Sequence, residues 1–436
     1  MKSWEKFNFE NASLEIIDGD RGVNYPKQSD FMPFGHCLFL NAGNVTKSGF
    51  DFSNCNFISE TKDNKLRQGK LSRFDIVLTT RGTVGNLAYY NEKVPFEHVR
   101  INSGMVIFRV NKERIFPRYF YFLLKSNIFD DQVKAYATGS AQPQLPIRDI
   151  KRFEFLLPPL PEQRAIAEVL GALDDKIELN HRMNATLETT IQSLFKAWFI
   201  DFEPVKAKAQ GKQPFGMDTD NATLFPNKLV YSEIGDIPLG WSIKEIRQLT
   251  SKIQYGLTQS ASTEEVGPHF LRITDIQGGR VSWENVPFCY VSDEEYEKYK
   301  LQQGDIVIAR TGASTGENIY LADVPDAVFA SYLVRFQFVN PAIGRLVGAF
   351  MRTKEYFDYI ASNLGGSAQP NANAQVLSGI SLVVPDIAVC ERFLVLVKPL
   401  DNKIIANNLE SRTLASLRDT LLPRLMRGEV RVNEIV

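Results

Sequence analysis

Long-range self-similarity constrains this chain more than any other feature. Asp75-Ile-Val-Leu-Thr-Thr-Arg-Gly82 returns as Asp305-Ile-Val-Ile-Ala-Arg-Thr-Gly312, 230 residues later. Gly139-Ser-Ala-Gln-Pro143 returns unchanged as Gly366-Ser-Ala-Gln-Pro370, and Leu173-Asp-Asp-Lys-Ile177 as Leu400-Asp-Asn-Lys-Ile404, both 227 residues later. Three matches in one order at nearly one offset indicate a duplication. The 436 residues exceed one ordinary core and divide as domain, helix, domain, helix. The expected bounds are 1–155, 156–200, a connector at 201–232, then 233–388 and 389–436. The expected fold class is α+β. Two similar domains are separated by two long antiparallel coiled-coil helices and related by an internal pseudo-twofold, which suits a two-part target.

The helices are read from spacing. Ile166, Leu170, Leu173, Ile177, Asn180, Asn184, Leu187, Ile191, Leu194 and Trp198 step by four and three throughout, the seam of a coiled coil. Pro161 and Glu162 suit a first helical turn. Residues 166–198 would span about 50 Å at a rise of about 1.5 Å per residue. The second seam, Phe393, Val397, Leu400, Ile404, Asn407, Ser411, Leu414, Arg418, Leu421 and Leu425, is weaker. Pro399 and Pro423 should kink or cap it. Asn180, Asn184 and Asn407 sit where polar residues cost stability and fix register. So long a seam exceeds what one small domain needs, so the helices are expected to pair with each other rather than merely complete each domain's core. Lys176, Glu178 and Glu188 lie off the seam as solvated charges.

Within the domains, 74–79, 105–110, 305–309 and 332–338 read as strands, and 119–129 and 346–360 as helices. The loops carry the candidate binding groups. Thr80, Arg81 and Thr83 stand among glycines after the first repeated strand, and Arg310, Thr311 and Ser314 after its copy. Glycine lets backbone approach a phosphate, and arginine pairs with phosphate or a guanine edge. Ser140, Gln142 and Gln144, with Ser367, Gln369, Asn371 and Asn373, offer hydroxyls and amides; amides suit adenine. Earlier loops offer Arg21, Asn24 and Tyr25 in the first domain, and Tyr255 and Thr258 in the second. A turn closed by its own hydrogen bonds accounts for the same residues equally well.

Charge distinguishes the halves. Residues 1–155 hold 22 Lys/Arg against 17 Asp/Glu, a balance of +5, and residues 230–385 hold 12 against 17, a balance of −5. Any polyanion contact in the second domain must therefore be local. The chain has no uninterrupted apolar run of membrane-spanning length and its first residues lack the apolar core of a signal peptide, so neither a transmembrane helix nor a secretory leader is expected. Its four cysteines lack metal spacing, so a reducing cytoplasm is expected. The four histidines are scattered, and neither a nucleophile elbow nor a phosphate loop ending in Gly-Lys-Ser/Thr is present. No catalytic residue and no metal site is expected.

Leu156-Leu-Pro-Pro-Leu-Pro-Glu-Gln-Arg-Ala-Ile-Ala-Glu-Val-Leu170, Leu173-Asp-Asp-Lys-Ile177 and Lys196-Ala-Trp-Phe199 with Asp201-Phe202 resemble the central conserved region of type I restriction-modification specificity subunits. Leu400-Asp-Asn-Lys-Ile404 through Leu421-Leu-Pro-Arg-Leu-Met-Arg-Gly-Glu429 resembles their C-terminal conserved region. Val384-Pro-Asp-Ile-Ala-Val-Cys-Glu391 departs from the Pro-Pro-Leu-x-Glu-Gln pattern. The resemblance implies a non-catalytic subunit. Each domain would be a target-recognition domain reading half of a bipartite double-stranded DNA site, and the helices would set the spacer. Two modification subunits, bearing S-adenosylmethionine-dependent adenine methylation, would dock on the helices. Restriction subunits, using ATP and Mg, would join them, and this chain would hold no cofactor. Two other readings remain at this point: a self-sufficient DNA methyltransferase or nuclease, and an adaptor whose duplicated domains bind protein.

Overall fold

A computed structural model describes residues 4–138, 143–276, 278–364 and 371–432. The chain forms two compact units: Met1–Ile177 with Thr413–Val436, and Glu178–Arg412.

Unit 1 is built on a four-stranded antiparallel sheet, ordered Leu14–Asp18, Met105–Val110, Ile76–Thr79, Leu87–Tyr89. Its two inner strands are almost wholly apolar because both faces are covered. Ile76, Leu78, Val106 and Phe108 pack against Phe120, Leu123 and Phe129 on one side. Val77, Met105 and Ile107 pack against Leu38, Leu40, Val99 and Ile101 on the other, as alternation along a strand requires. That second layer pairs Cys37–Leu40 in parallel with Val99–Ile101. Glu5–Asn8 pairs with Glu154–Leu157 just before the first long helix.

Unit 2 repeats this plan. Its main sheet runs Lys252–Tyr255, Leu333–Gln337, Ile306–Ala309, Asn318–Tyr320, and His269–Leu271 lies parallel to Ala327–Phe329. The duplicated aspartate has one task in both units. Asp75 accepts two bonds from Arg109, at 3.0 and 2.7 Å, and Asp305 lies 3.5 Å from Arg335. Burial pushes the Asp305 carboxyl up and the Arg335 guanidinium down from their ordinary values.

Each stretch expected as one helix is two. Pro117–Lys125 and Asn127–Tyr136 break at Ser126, whose buried hydroxyl donates to the Leu123 carbonyl at 2.6 Å. Pro341–Phe350 and Lys354–Asn363 break before Thr353, which caps the second by accepting from the Tyr356 amide. Apolar spacing continues across both breaks, so periodicity alone does not reveal them.

The first long helix spans Leu160–Phe195 and continues through a wider turn, Lys196–Ile200, until Phe202 adopts left-handed φ. In unit 1 its Ile166 and Leu170 join the core beside Leu422, Leu425 and Met426. In unit 2 Ile191, Phe195, Trp198 and Phe199 do the same beside Phe393 and Val397. The helix ends therefore do complete the domain cores, against expectation, because the domain helices leave those faces uncovered.

Pairing between the long helices occupies the seam between these ends, and there it is polar. Asn180, Asn184, Asn407 and Ser411 are buried. The Asn180 Nδ2 donates to the Asn407 carbonyl, Glu410 and Ser411 at 3.3, 2.9 and 3.2 Å, and the Asn407 Nδ2 donates to Asn184 at 2.8 Å. Contact numbers fall on one helix as they rise on the other, so the helices are antiparallel. In unit 1, Arg418 meets Asp174 at 2.7 Å in the same sense. Leu173, Ile177, Leu187, Leu194, Leu400, Ile404, Leu414 and Leu421 are half-buried. Glu188 is not a free charge, since it binds Arg280 at 2.8 Å.

The second long helix, Ile387–Met426, runs through Pro399 and Pro423 without ending. Proline cannot donate to the carbonyl four residues back, so the carbonyls of Val395 and Asp419 go without that helical donor. The departure at 384–391 has a physical reading. In the first copy buried Gln163 fastens the helix start to the domain through the Phe116 amide (2.7 Å) and the Arg114 carbonyl (3.0 Å). Its counterpart 227 residues on is Cys390, which packs in the apolar core instead. The segment 201–232 contains Glu203–Ala209, Thr219–Thr223 and Leu229–Ser232, with Phe202, Val205 and Phe225 in the core of unit 2. Elements so short leave no readable period.

Candidate nucleic-acid interface

The strands of the unit 1 sheet alternate in direction, with Asp18 opposite Val106, Met105 opposite Thr79 and Leu78 opposite Leu87. One end of the sheet therefore emits three loops: 19–25, 80–86 and 102–104. The first lies tightly on the third, since a Cβ at Gly19 would come 2.2 Å from the Asn102 carbonyl oxygen. Asp20, 3% exposed, anchors it by accepting from the amides of Gly22 (2.6 Å) and Arg67 (2.7 Å). Burial pushes the Asp20 carboxyl up, but those amides and the Arg67 charge outweigh it and hold the group below its ordinary value. Arg21 bonds Asp18 and the Ser103 carbonyl (3.2 and 3.3 Å), and the Tyr25 hydroxyl accepts from the Ser103 amide (3.4 Å). Asn24 is exposed and donates to the Lys65 carbonyl at 3.3 Å.

Thr80 extends the central strand. Its amide and hydroxyl donate to the Gly104 carbonyl at 2.8 and 3.0 Å, and its own carbonyl accepts from Leu145 at 2.9 Å. It is 6% exposed, so its side chain braces the loop and presents nothing to a ligand, contrary to the sequence expectation. Arg81 and Gln144 lie opposite each other and both are exposed, as is Thr83. Gly82 has φ +75°, and nothing lies within 4 Å of where a Cβ would stand. The loop tip is open to an approaching backbone, as the glycine there required.

Unit 2 reproduces the scaffold with other side chains. Arg310 donates its amide to the Tyr332 carbonyl at 3.0 Å and accepts from the Ala372 amide at 2.8 Å, and Thr311 lies opposite Asn371. Gly312 has φ +74° and the same open surroundings as Gly82. Tyr255 accepts from the Ala374 amide at 3.0 Å and carries the Arg310 guanidinium 4.9 Å from its ring centroid. Thr258 and Asn371 are exposed, and Ser314 is half-buried in a tight turn. Asn373 is committed locally: its Oδ1 caps the helix Ala374–Ser378 by accepting from Val376 at 2.9 Å. Ser140, Gln142, Ser367 and Gln369 lie outside the described residues.

The structure thus brings Arg21, Tyr25, Arg81, Thr83 and Gln144 to one sheet end in unit 1. It brings Tyr255, Arg310, Thr311 and Asn371 to the equivalent end in unit 2. Ser103, Gly104 and the 59% exposed Tyr332 belong with them but were not singled out from sequence. The turn residues Asn102-Ser103-Gly104 directly before a recognised strand were the available signal.

Residues 22–189 match the family described as the type I restriction modification DNA specificity domain. The chain is 25% identical to the type I restriction enzyme HindI specificity subunit of Haemophilus influenzae, over 99% of this chain and all of that one. It is 28% identical to the MjaIX specificity subunit of Methanocaldococcus jannaschii, over 83% and 78%. The solved type I restriction-modification S subunit from M. genitalium shares the fold, with a TM-score of 0.52 at 14% identity, over 97% of this chain and 96% of that one. Over nearly its whole length the chain is similar to type I specificity subunits, and residues 22–189 carry the match to their DNA specificity domain. The matched stretch begins inside the 19–25 loop, after Arg21, takes in the 80–86 and 102–104 loops, and ends on the first long helix. No helix among the described residues is long and apolar enough to cross a membrane.

Proposed function

We propose that this chain directs a type I restriction-modification assembly to a bipartite DNA sequence. Each unit reads one half with its sheet-end loops, and the length of the helix pair sets the gap. The observation that carries the reading is the duplicated loop cluster, one scaffold bearing Arg81 and Gln144 in one unit and Tyr255, Arg310 and Asn371 in the other. A common scaffold with different side chains is what two readers of different half-sites need. Joining two weak readers also makes the second contact intramolecular, which raises affinity and rejects wrongly spaced sites.

The chain carries no chemistry of its own in this reading. Adenine methylation from S-adenosylmethionine belongs to two modification subunits, and ATP- and Mg-dependent cleavage to restriction subunits. The test is to co-express the chain with its modification subunit and map methylated adenines across the host genome. A two-part motif with a constant gap is expected. Purified chain that binds S-adenosylmethionine alone would favour an independent methyltransferase. The negative balance of 230–385 favours a protein-binding adaptor as the second reading, and methylation without sequence preference would support it.

A further inference from the structure

We infer that Arg310 reads a guanine, through its major-groove edge, in the half-site taken by unit 2. This rests on the DNA-reading role proposed above and adds the base and the residue. Three features make Arg310 a prepared reader. Its backbone is bonded on both sides, to Tyr332 and Ala372, so its side chain leaves the sheet end in a set direction. Its guanidinium lies over the Tyr255 ring at 4.9 Å and within 3.5 Å of the Asn371 Oδ1, and Tyr255 is itself fixed by the Ala374 amide. Several other arginines of unit 2 are paired with acids: Arg335 with Asp305, Arg345 with Asp401, Arg280 with Glu188, Arg352 with Glu317. Arg310 has no carboxylate partner among the described residues.

A guanidinium held over an aromatic ring keeps its charge while losing rotamer freedom in advance. Its fork matches guanine O6 and N7, the commonest base-specific contact. The surroundings favour edge reading over general phosphate attraction, because the domain balance is −5 and the neighbouring groups Thr311, Asn371 and Tyr332 are uncharged. The repeat sharpens the assignment. Thr80 holds the equivalent position in unit 1 and the arginine there is Arg81, one residue on. Moving one residue along an extended strand sends a side chain to the opposite face, so the two units offer their arginines differently and the inference concerns unit 2 alone.

The test uses the full chain co-expressed with its modification subunit, with methylated adenines mapped genome-wide for wild type, Arg310→Lys and Tyr255→Leu. Lysine keeps the charge and loses the fork. In the lysine variant one G·C position in one half-site should relax, with discrimination there falling about 5- to 150-fold. The other half-site and the gap should stay as they were. Tyr255→Leu removes the platform and should relax the same position by less, and it decides the matter if the lysine variant does not assemble. An unchanged motif, relaxation at an A·T position, or a uniform loss of methylation at every site would overturn the inference. A wild-type complex with no defined motif is a separate failure, that of the DNA-reading role itself.

Discussion

Replacing Asp401 by alanine should destabilise unit 2 by about 3 kcal/mol. Arg345, on the helix Pro341–Phe350, meets Asp401 of the second long helix through Nε–Oδ2 at 2.8 Å and Nη2–Oδ1 at 3.1 Å. The two side chains are 7% and 13% exposed, so water screens the pair little. Removing the acid leaves a buried guanidinium whose remaining named contact is the Tyr320 ring at 4.9 Å. Breaking a buried pair from one side costs about 3–5 kcal/mol; the Tyr320 ring faces the charge before and after the substitution and keeps it partly compensated, which places this pair at the low end. The double variant Arg345→Met, Asp401→Leu removes both charges at similar volume and should lie within about 1 kcal/mol of wild type. Urea denaturation followed by tryptophan fluorescence reads this well, because Trp198, Trp241 and Trp283 all lie in unit 2 and only Trp4 lies in unit 1. A loss below about 1 kcal/mol for Asp401→Ala, or a double variant costing the sum of both singles, would refute the reasoning.

Asp63 is fully buried between Arg100 and Lys70. Burial pushes its carboxyl up, but the bonds from Lys70 and Arg100 outweigh this and hold it below the ordinary 3.8. Its folded value is depressed, so its stabilisation is present above about pH 4 and is lost as pH falls through the lowered folded value. Asp63→Asn should flatten that acid limb and cost about 3–5 kcal/mol at neutral pH, checked by urea midpoints from pH 3 to 7. Asn407→Ala leaves the buried Asn184 Oδ1 without its donor and should cost about 1–3 kcal/mol, read as a lower urea midpoint. Gly304 has φ +92°, so Gly304→Ala should cost about 1–2 kcal/mol, measured by thermal unfolding.

What could be read from the sequence was whatever recurs or alternates locally. The duplicated Asp75 and Asp305 runs located equivalent strands, and the four-three spacing from Ile166 located the first long helix. Contacts set by the tertiary fold were not legible. Phe74 takes φ +79° where the second copy has Gly304, so the same turn hides behind a bulky residue in one copy. Arg118 binds Asp175 at 2.7 Å, leaving Asp174 for Arg418, whereas Asn402 replaces that second acid and Arg345 must take Asp401. In the interface, exposed Arg81 and the platform-bound Arg310 stood out as glycine-flanked arginines. Thr80 and Asn373 looked the same in sequence, but their hydrogen bonds turn them to bracing and capping. Composition cannot separate a side chain aimed at solvent from one aimed at its own backbone.

A matched shortening of both long helices, seven residues each at positions 227 apart, followed by methylated-adenine mapping with the modification subunit, tests the spacing role most directly. Removing seven helical residues takes away about 10.5 Å, or about 3 base pairs at about 3.4 Å each. Both half-motifs should persist with a gap shorter by about that number. Altered half-motifs around an unchanged gap would contradict the account.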